Sequence, residues 1–305
     1  MTVPSHARAV IIGGGVVGCS IAYHLGKLGW RDVVLLERKQ LTCGTTWHAA
    51  GLIAQLRATQ NMTRLAKYSQ ELYFGLEAET GVATGFKRNG SITVALTDER
   101  MEELRRSAAM ARAFGVEIDE ISPSDIASRY PGLSVDDAVG GVWLPKDGQA
   151  DPVNITQALA KGARKYGVVI HQGIKVTGIN KDAGRVTGVT TDAGNITADY
   201  AVNAGGMWAR DIGHMAGVAV PLHACEHFYI VTEAMPDLTA NLPVLRVPDE
   251  CAYYKEDAGK ILLGAFEPNS KPWGMNGIPE DFEFDSLPED FDHFEPILAR
   301  AVERF

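Results

Sequence analysis

Gly13, Gly15 and Gly18 form G-x-G-x-x-G near the start of the chain, and what surrounds them leaves few folds open. Ala7 to Ile12 is a short apolar run of the kind that becomes a buried parallel strand. Apolar Val17, Ile21, Ala22, Leu25 and Leu28 then recur at the spacing of a helix face, Gly29 ends that helix, and Val33 to Leu36 read as a second buried strand. In such a βαβ unit the first glycine permits the tight turn and the second lets a pyrophosphate approach the backbone. The third lets the helix pack closely on the strand. Glu37 stands 19 positions after Gly18, where a carboxylate accepts hydrogen bonds from an adenosine ribose. The pattern predicts a dinucleotide site. Glu37 would repel a 2′-phosphate, so NADP is disfavoured even though Arg38 and Lys39 follow; NAD and FAD both remain.

Composition bounds the partners. The 305 residues carry a net charge of −9, which argues against nucleic acid, since polyanions are bound by basic patches. The four cysteines form no CxxC pair and follow no disulfide framework, so they read as reduced thiols in a cytosol-like compartment. The apolar run at Ala9 to Ile12 is too short to span a bilayer and follows no signal segment, so the expectation is a cytoplasmic protein with no membrane partner.

The stretch TCGTTWHAAGLI, residues 42–53, holds far more than a strand-to-helix connection needs. With the preceding Glu37-Arg38 pair it resembles the flavin fingerprint of the D-amino-acid-oxidase-like superfamily, and GTTWHAAGL resembles the version found in dimethylglycine and sarcosine dehydrogenases. The resemblance implies that His48 carries FAD covalently through the flavin 8α-methyl. A neutral imidazole is the side chain suited to attack that carbon near pH 7. Gly44 and Gly51 would allow close backbone passage, Thr45 and Thr46 would offer hydroxyls, and Trp47, Ala50 and Leu52 would border the cofactor. ADYAVNAGGMWA resembles the superfamily's second flavin motif, bringing Ala204, Gly205, Gly206 and Trp208 to the cofactor, with Val176 beside them.

The fold class implied is mixed α/β: a Rossmann-like FAD-binding domain from residues 1–85 and 146–217, with an inserted antiparallel-sheet substrate domain from residues 86–145 and 218–305. Helices are expected around Leu65, Tyr68, Leu72 and Leu76, over Asp98 to Phe114, after Ser122, and from Val153 to Tyr166. GFKRNGSITVAL reads as a hairpin turning at Asn89-Gly90, PLHACEHFYIVTEAM as a strand, and CAYYKEDAGKILLGAFEP as a second hairpin. Relatives continue with a segment that closes the flavin site, and many add a folate-binding domain. The chain reads as their N-terminal part, and tetrahydrofolate would bind only where that domain follows.

The activity implied is oxidative N-demethylation of a small methylated amino acid, with hydride passing from the N-methyl carbon to flavin N5. Oxygen or an electron-transfer flavoprotein would take the electrons on. Motif match assigns the active-site histidine to His227, with His223 as alternative, and the tyrosine to Tyr253, with Tyr254 as fallback. Arg246 and Lys255 are candidates for the substrate carboxylate. Three other readings stay open: an oxidase of another secondary or tertiary amine, a non-catalytic regulator like the pyruvate dehydrogenase phosphatase regulator of this same family, and an NAD-dependent dehydrogenase. The last leaves GTTWHAAGL unexplained.

Overall fold

The computed structural model describes residues 2–305. β1 (His6–Ile12), α1 (Val16–Lys27) and β2 (Val33–Glu37) open the chain as the glycine motif predicts, followed by β3 (Leu52–Ile53) and α2 (Gln60–Thr80). Thr59 caps α2, its hydroxyl accepting the Met62 amide at 3.3 Å. This helix buries Leu76 but leaves Leu65 and Tyr68 in solvent, so the expected stripe is core only at its end. Next come β4 (Ser91–Ala95), α3 (Asp98–Ala113), β5 (Asp119–Ile121), α4 (Pro123–Arg129), β6 (Gly140–Leu144) and β7 (Gly148–Gln149). A capping box between Ser122 and Asp125 starts α4, with Pro123 in its first turn. Then follow α5 (Pro152–Lys165), β8 (Val169–Gln172), β9 (Val176–Asp182), β10 (Arg185–Thr191), β11 (Gly194–Asn203) and α6 (Ala209–Met215). The last elements are β12 (Tyr229–Val231), β13 (Val244–Val247), β14 (Ala252–Asp257), β15 (Lys260–Ala265) and α7 (Phe291–Arg304).

A six-stranded sheet has the order β8-β2-β1-β11-β10-β9. Its first four strands run parallel, and β9 to β11 form an antiparallel meander. Ala9 and Ile11 of β1 face α1 and α5, while Val10 and Ile12 face Ile174, Val176 and Val189. Burial on both faces is why Ala9 to Ile12 is a continuous apolar run, whereas the first half of β1 alternates, with His6 and Arg8 exposed. The expected helix stripe is met in part: Ala22 is buried and Ile21 and Leu25 pack on the core, but Val17 and Leu28 do not. α1 buries Gly18, Cys19, Ala22, Tyr23 and Gly26, and leaves Val17 and Leu28 60% and 75% exposed. Its neighbour α5 explains this: Gly162 sits against the Tyr23 ring and Gly26 against Tyr166, so the small residues form the contact. Asp151 caps α5, accepting the Val153 amide at 2.8 Å, a contact worth ~1 kcal/mol.

A seven-stranded sheet has the order β12-β15-β14-β13-β4-β6-β5, antiparallel except where β13 meets β4. One face packs Ile92, Val94, Leu245, Val247, Tyr254 and Leu263 against Ile126 of α4 and Phe294 and Ile297 of α7. The hairpin expected at Asn89-Gly90 is absent: β4 pairs with β6 and β13, and Lys87 bridges Gln149. The Asn89 side chain donates to the Leu242 carbonyl at 2.6 Å, so this residue ties distant chain instead of closing a local ladder. Of the strand expected over residues 221–235 only β12 forms, though Phe228 and Ile230 do face the core together. The second predicted hairpin is present as β14 and β15. Among the described residues no helix is long and apolar enough to cross a membrane.

Candidate functional site

A cavity of about 600 Å³ opens at the carboxyl ends of β1, β2 and β11. Parallel α/β sheets place ligands there, where backbone amides and a helix start converge. Gly13 has φ +115°, and a Cβ on it would stand 2.3 Å from the Ala204 carbonyl oxygen; one on Gly18 would stand 1.9 Å from the Gly13 carbonyl oxygen. Only glycines let the two strand ends and α1 approach so closely. Gly15 precedes α1 with no side-chain cap, leaving first-turn amides and the positive end of the helix dipole toward the cavity. The Val16 amide alone is taken up, by the Thr46 hydroxyl at 3.1 Å.

Glu37 anchors the glycine loop. Its carboxylate accepts the Gly14 amide at 2.7 Å and the Lys39 amide at 2.9 Å, stapling the glycine loop to the end of β2. A carboxylate offers about four lone-pair directions, so capacity remains for a ribose hydroxyl on the cavity side. Cys43 beside it is pushed up to about 11 by burial and then by the Glu37 charge, which keeps the thiol protonated at neutral pH. At the cavity wall Arg38 lies 4.0 Å over the Trp208 ring, donating to the Glu280 and Phe282 carbonyls at 2.6 and 2.5 Å.

Thirteen of the sequence-picked cofactor residues line this cavity: Gly13, Gly15, Val17, Glu37, Arg38, Gly44, Thr45, Thr46, Val176, Ala204, Gly205, Gly206 and Trp208. Gly18 lies beneath it. Gly51, at φ +76°, packs on the Ala150 carbonyl, and Leu52 pairs with Gln149, so Ala50 to Leu52 lead the chain away from the cavity lining. Sequence reasoning missed residues 278–285. Ile278 and Glu280 line the cavity, Lys175 pairs with Glu280, and the Phe284 amide donates to the Cys43 carbonyl at 3.0 Å. This strap crosses the fingerprint loop from far along the chain and carries no motif of its own.

Trp47 and His48 stand beyond the lining, stacked with ring centroids 3.9 Å apart. His48 Nε2 faces the Asp285 carbonyl at 2.8 Å, and a carbonyl only accepts, so that nitrogen carries the hydrogen. The lone pair then falls on Nδ1, 3.4 Å from the Tyr229 hydroxyl.

From Tyr229 a cross-strand row runs over the open face of the second sheet: Tyr229, Gly264, Tyr253, Arg246 and Thr93 are successive register partners. Tyr253 lies flat across Gly264, where a Cβ would meet its ring at 2.0 Å. Burial, then the Glu267 charge, pushes the Tyr253 phenol up to about 12, so it stays a hydrogen-bond donor. Phe266 gathers the row's neighbours: Tyr253 at 5.2 Å, His227 at 5.6 Å and the Arg246 guanidinium at 5.8 Å. Arg246 makes no ion pair among the described residues. Lys255 is already paired with Asp257 at 3.2 Å. Tyr254 points to the opposite face, fully buried in the core with a Phe305 ring 5.1 Å away, and the structure does not bring it to this row.

A βαβ glycine cradle beside a second sheet that carries a row of polar and ionisable side chains defines a nucleotide-cofactor-binding protein. The family model described as DAO, FAD dependent oxidoreductase, matches residues 8–305, and the chain belongs to that family. It is 39% identical over 307 residues to the mitochondrial pyruvate dehydrogenase phosphatase regulatory subunit of Mus musculus, covering 100% of this chain and 35% of that protein. It is also 39% identical over 305 residues to the mitochondrial dimethylglycine dehydrogenase of Rattus norvegicus, covering 97% and 36%. The chain therefore spans about a third of the length of these relatives. Among solved structures it superposes on L-proline dehydrogenase from P. horikoshii with a TM-score of 0.88 and 26% identity, covering 99% of this chain and 78% of that one.

Proposed function

We propose that the chain is the flavin and substrate part of an oxidase or dehydrogenase that N-demethylates a small methylated amino acid of the dimethylglycine or sarcosine type. The six-stranded sheet is the FAD-binding unit and the seven-stranded sheet the substrate-binding unit. The observation that carries the reading is the row from His48 through Tyr229 and Tyr253 to Arg246, flanked by His227. It joins the expected flavin attachment point to groups suited to a zwitterionic amine. Arg246 supplies a free cation for the carboxylate. The ammonium must lose a proton before hydride can leave the adjoining carbon, and His227 is the base positioned to take it. Tyr253 donates from its raised phenol and orients the bound substrate. The chemistry FAD supplies when bound is acceptance of that hydride at N5. His48 presents Nδ1 as the nucleophilic nitrogen for the covalent tether.

Anaerobic titration of the flavoprotein with sarcosine, dimethylglycine and N-methylaminobutyrate should bleach the flavin absorbance with at least one amine. The similarity to the phosphatase regulatory subunit supports a second reading, a non-catalytic regulator, and absence of bleaching with all three would favour it. Oxygen consumption against transfer to an electron-transfer flavoprotein separates oxidase from dehydrogenase. For the tether, acid-precipitated wild type should stay yellow and His48→Ala should release its colour to the supernatant.

A further inference from the structure

Just past β15 lies a buried carboxylate that the reaction above leaves without a task. Glu267 is only 7% exposed. Its Oε2 stands 2.9 Å from His227 Nδ1, and its Oε1 accepts the Phe228 amide at 3.1 Å. The same carboxylate thus grips the side chain of one residue and the backbone of the next, fixing both where the imidazole sits and how its plane is turned. Phe266 holds the ring from another side, with an interplanar angle of 33°. An ionised carboxylate only accepts hydrogen bonds, so the nitrogen facing it carries the hydrogen and the lone pair sits on Nε2. Burying a carboxylate is costly unless hydrogen bonds and a facing cation compensate. Two donors meet it here, and one of them becomes cationic when the histidine takes up a proton.

We propose that Glu267 is the positioning residue of this site: it fixes His227 in the Nδ1–H form, aims Nε2 at the bound amine, and stabilises the imidazolium that forms there. The assignment rests on the reading of His227 as the proton acceptor. In the step concerned, an N–H bond of the substrate ammonium breaks and an Nε2–H bond forms. The positive charge moves from substrate to imidazole, and Glu267 keeps its charge and takes no proton. The arrangement follows the logic of a carboxylate behind a catalytic imidazole, reached with a glutamate that also binds the neighbouring peptide.

The first test reads the wild-type site, with one variant used only to assign the signal. In the flavoprotein with ¹⁵N-labelled histidine, the signal lost in His227→Gln should show the Nδ1–H tautomer; an Nε2–H tautomer in wild type overturns the proposal. Glu267→Gln can present its amide nitrogen to Nδ1, and should shift His227 toward the Nε2–H form. It should also slow anaerobic flavin reduction roughly 10²-fold while substrate affinity stays within about twofold. On a His227→Gln background the same substitution should slow reduction by less than about twofold, because a residue acting through another has nothing left to act on. An unchanged tautomer in Glu267→Gln, or an equal slowing on both backgrounds, sinks the assignment. If no amine reduces the flavin, the functional reading fails while the tautomer still decides the role of Glu267.

Discussion

Tyr253 and Tyr254 are adjacent in the chain and face opposite environments. Strand alternation requires that they face opposite sides of the sheet but does not say which faces the core, and the resemblance that favours Tyr253 leaves Tyr254 as fallback. Packing decides: Tyr254 joins the apolar cluster beneath the sheet, and its hydroxyl is buried with no hydrogen-bond partner. A buried orphan hydroxyl costs about 1–3 kcal/mol, so Tyr254→Phe should stabilise the protein by ~1 kcal/mol and leave flavin reduction unchanged. Tyr253→Phe should do the reverse, slowing reduction roughly tenfold or more at nearly unchanged melting temperature. Thermal melts and anaerobic stopped-flow on the two variants check both halves. The sequence singles out His227 through a resemblance, whereas Glu267, 40 residues further on, has no marker in sequence and becomes visible only when β15 delivers it beside the histidine.

At the scale of elements, the short link between β6 and β7 ties the start of β4 to the segment after β3 through one side chain. Asp147 accepts the Gln55 amide at 2.9 Å and the Ser91 hydroxyl at 2.7 Å, and it is 2% exposed. Burial pushes its carboxyl up to about 6 from the ordinary 3.8. The folded state therefore holds the Asp147 proton where the unfolded chain has released it. The stability from this group is fully present below pH ~4, declines by roughly 3 kcal/mol as pH rises through about 6, and is level above pH ~7. Asp147→Asn should remove that decline, so the difference between urea unfolding free energies of wild type and variant should change over this window and nowhere higher. The elements themselves were mostly readable: the caps of α4 and α5, the β14–β15 hairpin and the opening βαβ unit all follow from local rules. The misreadings share one cause. Neighbours in sequence suggest Val17 and Leu28 for the α1 face and a turn at Asn89-Gly90, while α5 and the Leu242 carbonyl set both from afar.

For the whole molecule, the cavity wall is completed by residues 278–285, which arrive only after the second sheet has been built. Arg38 reaches across 242 positions to hold this strap, a separation that no local pattern encodes. With His48→Ala as background, so that flavin can dissociate, adding Arg38→Ala should weaken FAD binding roughly tenfold, through loss of two charge-assisted hydrogen bonds and the contact with Trp208. Fluorescence titration of stripped protein with FAD measures this. The strap also imposes an order on biogenesis. A growing polypeptide can offer its glycine cradle early, yet anything captured then sits behind an unfinished door until the ribosome has delivered the acidic stretch near residue 280. Pulse-labelled nascent chains should accordingly retain flavin through gel filtration only once that stretch has emerged.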